Sequence, residues 1–179
     1  MLNALPAVVR KHPRVLYMVV GATHPVEKKH NGEDYRRKLE AQVKQMGLSR
    51  NVLFIDAFVE DETLDCLVGA ADLVACPYYS EAQITSGVLS TALSKGKAII
   101  STPFLHAREA LAGGSGKLVN AGDAAALARE TINLIENSRE RTAMSKKAYD
   151  IGRLMGWSNV SAEYMKTFTS VVKPALALK

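Results

Sequence analysis

The chain has 179 residues, with 23 Lys and Arg against 18 Asp and Glu, a formal net charge of +5 and a sequence pI near 9.2. That length builds one well-filled core rather than two, and 47% hydrophobic with 23% charged residues excludes a disordered or fibrous chain. No apolar run approaches the ~20 residues that cross a bilayer, and the opening Met1-Leu2-Asn3-Ala4-Leu5-Pro6 shows no basic stretch ahead of a long apolar one, so no secretory signal is visible.

In chain order, short β-branched runs alternate with helical patterns, the signature of a parallel sheet with helices on its faces. Leu2, Leu5, Val8 and Val9 make a helical stripe, and Val15 to Val20 is a continuous apolar run ending at Gly21, a buried strand. Leu39, Val43 and Met46 place a helix over 34–46 that Gly47 stops. Val52 to Ile55 is the second strand, Asp61 caps a short helix, and Leu73 to Cys76 is the third strand, closed by Pro77. A helix over 86–95 stops at Gly96, Ala98 to Ser101 is the fourth strand, and a short helix runs through Glu109 to Ala112. Gly113-Gly114-Ser115-Gly116 turns into Lys117-Leu118-Val119, Asp123 caps the next helix, and the rest is helical with breaks at Gly152 and Gly156. Five β-α units give a Rossmann-like doubly wound α/β domain over 1–179. The chain enters in the middle of a β-α unit, so the expectation is a fragment lacking its first strand, with a sheet edge left exposed.

Cys66 and Cys76 lie in apolar contexts far from metal-ligand spacing and read as reduced core thiols of a cytoplasmic protein. Two basic clusters stand out, Lys28, Lys29, His30, Arg36, Arg37, Lys38 and Arg139, Arg141, Lys146, Lys147. They are either solvated faces or attractors of polyanions. With 6% aromatic residues and no base-reading motif, nucleic acid is not expected as a partner. A membrane surface stays open, as does a place at its inner face.

In an open α/β sheet, ligands bind beyond the carboxyl ends of the strands. The loops gathered there are Gly21 to His24, Ala57 to Val59, Pro77 to Gly87, Thr102 to His106, and Asn120. Thr85-Ser86-Gly87 opens a helix whose first N–H groups and partial positive charge suit a phosphate. Gly87 permits close approach and the two hydroxyls can donate; an ordinary N-cap uses the same residues. Glu81 and Gln83 suit sugar hydroxyls or solvent equally. His24 either turns the chain before Pro25 or faces the cleft. His106 and Glu109, one helical turn apart, either grip a polar ligand or cap and decorate their helix. Tyr78 and Tyr79 either stack on a sugar or base or pack in the loop. No dinucleotide fingerprint, Walker motif, nucleophile–histidine–acid set or metal-ligand cluster is assembled, so neither cofactor nor metal is expected.

Several of these stretches, in order, resemble the C-terminal domain of family 4 glycosyltransferases. They are Val19-Val20-Gly21, Gly47-Leu48, Val52-Leu53-Phe54, Ala71-Asp72-Leu73-Val74 and Pro77, then Gly96 to Thr102, Arg108-Glu109-Ala110, Gly116 to Val119 and Gly122-Asp123. The resemblance implies one half of a two-domain GT-B architecture with C-terminal helices. The partners it implies are a nucleotide-diphosphate sugar donor and an N-terminal acceptor-binding domain. By the same resemblance Ser86 and Gly87 sit near the donor diphosphate, Glu109 on the helix after the fourth strand, and Phe58 and Val59 on the loop facing the base. The implied activity is transfer of a sugar to an acceptor hydroxyl with retention, not by this chain alone; a non-catalytic binding module on the same fold is the alternative. The family's donor loop carries two glutamates eight positions apart. Here Leu89 stands eight beyond Glu81 and Thr91 eight beyond Gln83, so neither register supplies the second acid.

Overall fold

The computed structural model describes residues 1–177. After a 3-10 turn at Leu2–Ala4 come α1 (Leu5–Lys11), β1 (Tyr17–Val20), α2 (Pro25–Asn31), α3 (Asp34–Gln45), β2 (Val52–Ile55), α4 (Asp61–Ala70) and β3 (Leu73–Cys76). They are followed by α5 (Gly87–Ser94), β4 (Ala98–Ser101), α6 (Leu105–Leu111), β5 (Gly116–Leu118), α7 (Ala124–Glu136), α8 (Ser138–Leu154) and α9 (Trp157–Ala177). All strand pairing is parallel, and with helices on both faces the architecture is the doubly wound α/β one expected of the sequence.

The strands do not join into one continuous ladder. β1 pairs with β2, Tyr17 opposite Val52 and Val20 opposite Ile55. β3, β4 and β5 form a separate sheet in that order, with Leu73 opposite Ala98 and Ile99 opposite Gly116. Two internal edges, one on β1 and one on β3, therefore lack a strand partner.

Side chains alternate across β4 with the two-residue period of a strand. Ile99 enters a core with Leu89, Leu93 and Phe104; Ile100 enters the opposite one with Val8 and Leu134. Each fully buried aliphatic side chain of this kind contributes roughly 1.5–3 kcal/mol. A third cluster, Leu5, Val43, Leu48 and Val52, serves the two-stranded sheet.

Three local expectations are corrected. Asp61 is the first helical residue rather than the cap, a position held by Glu60 with no side-chain bond; its carboxylate still lies in the first turn, where the helix dipole favours it. Gly152 lies inside α8 rather than breaking it. A Cβ there would lie 2.5 Å from the backbone carbonyl of Leu93, so the glycine is what lets α8 cross α5 so closely. Cys66 is exposed on α4, because it lies on the outer face of that helix; Cys76 is buried at the end of β3. Burial pushes the Cys76 thiol up to about 12.

Candidate functional site at the carboxyl rim of β3 and β4

β3 ends at Cys76 and β4 at Ser101, and the loops leaving them are stitched together. The Ser101 hydroxyl donates to the Cys76 carbonyl at 3.1 Å, and the Thr102 hydroxyl to the Tyr78 carbonyl at 2.6 Å. The Tyr78 ring lies 5.0 Å from that of Phe104, a tilted pair that anchors the loop on the core. Farther out, the first two amides of α6 reach back, Leu105 N–H donating to Glu81 O at 3.1 Å and His106 N–H to Gln83 O at 3.4 Å. The loop after β3 is thus clamped by the helix start that follows β4, which satisfies orphan amides that the helix could not pair itself.

The start of α5 is partly used and partly free. Ser86 is its N-cap, its hydroxyl accepting from Leu89 N–H at 3.2 Å. The Ser86 amide is also taken, donating to His106 Nδ1 at 3.1 Å. Among the described residues, Gly87 and Val88 are left as the first-turn amides without a protein acceptor, and a Cβ built on Gly87 meets nothing within 4 Å. The open anion-facing surface is therefore narrower than the run from Thr85 to Val88. Because the His106 ring accepts at Nδ1, its proton sits on Nε2, which adds a second kind of donor to this rim.

The other expected residues fall as follows. Glu81 is exposed and ion-paired with Arg108 of α6. The Gln83 amide donates to the Thr85 carbonyl at 3.0 Å, closing the loop ahead of the cap; Thr85 itself is exposed. Glu109 is exposed one turn along α6 from His106. His24 lies on the other sheet, after β1, where it is the N-cap of α2 and accepts from Val26 N–H at 3.3 Å. Phe58, 91% exposed, and Val59 lie in the loop after β2. Hydrogen bonds thus unite Gln83, Thr85, Ser86 and His106 beside Gly87, with Glu81 tied to α6 through Leu105 and Arg108; none ties His24, Phe58 or Val59 to them.

Sequence reasoning missed Arg108 as a rim residue, although it stands beside Glu109 on the short helix after β4. Its guanidinium pairs with the Glu81 carboxylate at the rim. Of its two alternatives Tyr78 takes the packed one, against Phe104; its hydroxyl lies 3.3 Å from the Ser86 hydroxyl and burial raises it above the usual phenol range. Among the described residues no group of three His, Cys, Asp or Glu side chains converges as a metal site would require.

Part of each basic cluster is engaged in structure. Lys28 pairs with Glu33, and Arg36 with Glu33 and Asp56. Arg141 donates to the Leu134 and Ile135 carbonyls at the end of α7, and Lys147 to Gly113 O. No helix among the described residues is long and apolar enough to cross a membrane.

Comparison with known proteins gives the same picture of the fold. The model of glycosyl transferases group 1 matches residues 1–151. The chain is 26% identical over 172 residues to phosphatidyl-myo-inositol mannosyltransferase of Mycolicibacterium smegmatis, covering 96% of this chain and 41% of that protein. Among solved structures it resembles the C-terminal domain of LpcC, a glycosyl transferase group 1 family protein from Francisella tularensis. The TM-score is 0.72 and the identity 24%, over 84% of this chain and 74% of the other. It also resembles Anabaena Alr3699/HepE in complex with UDP-glucose, with a TM-score of 0.74 and 25% identity over 94% of this chain and 44% of the other. The chain thus spans about two-fifths of the full-length relatives it matches. With the family model covering most of its length and the same parallel α/β architecture in its neighbours, the chain belongs to the group 1 glycosyltransferases.

Proposed function

We propose that this chain is the donor-binding half of a retaining glycosyltransferase, holding a nucleotide-diphosphate sugar whose sugar passes to an acceptor hydroxyl supplied by an N-terminal domain. The observation that carries the reading is the pair of unpartnered amides, Gly87 and Val88, at a helix start with open space in front of them. Preorganised N–H groups aimed at a leaving diphosphate stabilise the charge that develops as the glycosidic bond breaks. His106 Nε2–H is the second donor, and the exposed Glu109 carboxylate, one turn along, is suited to accept from sugar hydroxyls. The base lies toward Phe58 and Val59, of which the exposed Phe58 offers it an apolar surface. The family relative solved with UDP-glucose supports a nucleotide-sugar ligand.

The test is calorimetric titration of UDP, GDP and ADP into the wild-type chain and into Gly87→Asp. Gly87 has room for a side chain, and an acid in the first turn favours the helix, so the variant keeps its fold. Its carboxylate occupies the anion position, and diphosphate binding weakens by at least about tenfold through like-charge repulsion. A folded wild-type chain that responds to no nucleoside diphosphate overturns the proposal.

The second reading, a non-catalytic binding module, is favoured by one observation. Leu89, eight positions beyond Glu81, is 0% exposed in the core, so that register has no acid able to reach a ribose. Binding with no turnover once an acceptor-binding domain is joined selects it.

A further inference from the structure

An α-helix leaves its first four N–H groups without an acceptor of its own, and in α5 each of the four has a clear fate. The Leu89 amide donates to the Ser86 hydroxyl at 3.2 Å, and the Ser86 amide to His106 Nδ1 at 3.1 Å. Among the described residues, Gly87 and Val88 are the two left open. The open amides are therefore bracketed in sequence by amides that are taken, and two side chains set the limits of the seat. Ser86 closes its inner end and His106 its outer end.

Only the His106 contact crosses between elements. Ser86 caps its own helix, as serine commonly does, whereas His106 is the second residue of α6 and lies 20 residues farther along the chain. Its backbone reaches the same loop, the His106 N–H donating to Gln83 O at 3.4 Å. One residue thus holds the loop at two points, Gln83 by its main chain and Ser86 by its ring, and between them the Gln83 side chain donates to the Thr85 carbonyl. Ser86 is only 3% exposed, so an amide stripped of its acceptor there is costly. The Gly87 amide belongs to the next peptide plane, separated from the Ser86 amide only by the φ and ψ of Ser86. Fixing the one plane therefore limits where the other points.

We propose that His106 is a positioning residue of the anion seat. Its ring acts through Nδ1 on the Ser86 backbone, aims the Gly87 and Val88 amides outward and confines the seat to those two donors. The proposal rests on the donor-site reading, which gives these amides their diphosphate, and adds a role for the ring separate from that of Nε2–H.

The two ring nitrogens can be tested apart. Asparagine places its side-chain oxygen where Nδ1 lies and keeps the acceptor; glutamine reaches the Nε2 position and leaves the Nδ1 position empty. His106→Asn, His106→Gln and His106→Ala are compared with the wild-type full chain by amide hydrogen exchange without ligand. They are then titrated calorimetrically with inorganic pyrophosphate, UDP, GDP and ADP, and the thermal midpoint of each is recorded. Ser86 exchange stays near the wild-type rate in His106→Asn and quickens by at least about tenfold in the other two. Pyrophosphate and the best-bound nucleoside diphosphate bind His106→Asn within about threefold of wild type, and His106→Gln and His106→Ala at least about tenfold more weakly. A folded His106→Gln that binds as wild type while His106→Asn does not overturns the inference, because the ring then acts only through Nε2. Loss of binding in all three variants, or equal binding by all four chains, overturns it as well. A wild-type chain that binds none of the four ligands defeats the donor-site reading and this inference together, a result distinct from any of the others.

Discussion

β1, Tyr-Met-Val-Val, has bulkier side chains than β4, Ala-Ile-Ile-Ser, yet all four β1 residues are only partly buried while all four of β4 are buried. The difference is not composition but neighbours. β4 has a strand hydrogen-bonded on each edge and helices on each face, whereas β1 has one strand neighbour. Strand propensity decides that a segment is extended; only the surrounding layers decide how much of it leaves water. The three-stranded half is therefore the more completely buried part of the described chain.

The contrast breaks most visibly by cavity formation. Ile100→Ala, in the three-stranded core, is expected to cost about 2–5 kcal/mol, whereas Val19→Ala on β1 costs about 1 kcal/mol, near the centre of ordinary substitutions. Urea unfolding monitored by circular dichroism measures both; equal losses would erase the distinction between the halves. Gly152→Ala comes next. Its methyl group collides with the Leu93 backbone and forces α8 off α5, costing roughly 1–3 kcal/mol, with no change in the exchange rates of β1 and β2.

Acid sharpens the comparison further. The Thr23 hydroxyl and then Lys28 hold Glu33 below its ordinary 4.5 on the two-stranded side. Lys117 and then Asn133 do the same for Glu140 on the three-stranded side. A carboxyl whose folded value is depressed contributes stability fully above 4.5 and loses it as pH falls through the folded value. Glu33→Gln and Glu140→Gln each remove part of the acid-induced fall in thermal midpoint below about pH 4.5. Glu140 has the larger effect, because it ties β5 to α8 whereas the Glu33 contacts to Thr23 and Lys28 stay within a short stretch of chain. The smallest effect is chemical. Iodoacetamide near neutral pH labels one thiol of the folded chain, Cys66, and a second, Cys76, only after unfolding, since Cys76 is buried and its thiolate disfavoured.

Much of the candidate site's framework was legible. A long loop after β3 ending in Thr-Ser-Gly ahead of a helix could be recognised from turn residues, the hydrophobic period and the rule that ligands sit beyond carboxyl strand ends. Which amides stay open could not. His106 is 20 residues from Ser86 in sequence, and its ring takes the Ser86 amide only because α6 starts beside α5. Arg108 and Glu81, 27 residues apart, pair for the same reason. Such partners are chosen by packing, and no local pattern encodes them.

What the sequence determined by itself was local. β2, β3 and β4 lie where their apolar runs end against turn residues, and Asp123 caps α7 as its side chain chemistry dictates. Tertiary structure decided the rest: that the strands part into two sheets, that Gly152 continues a helix, and that Gly87 and Val88 keep their amides free. A strand's edges and a helix's first turn are satisfied by groups distant along the chain, so their state is set only when the layers meet.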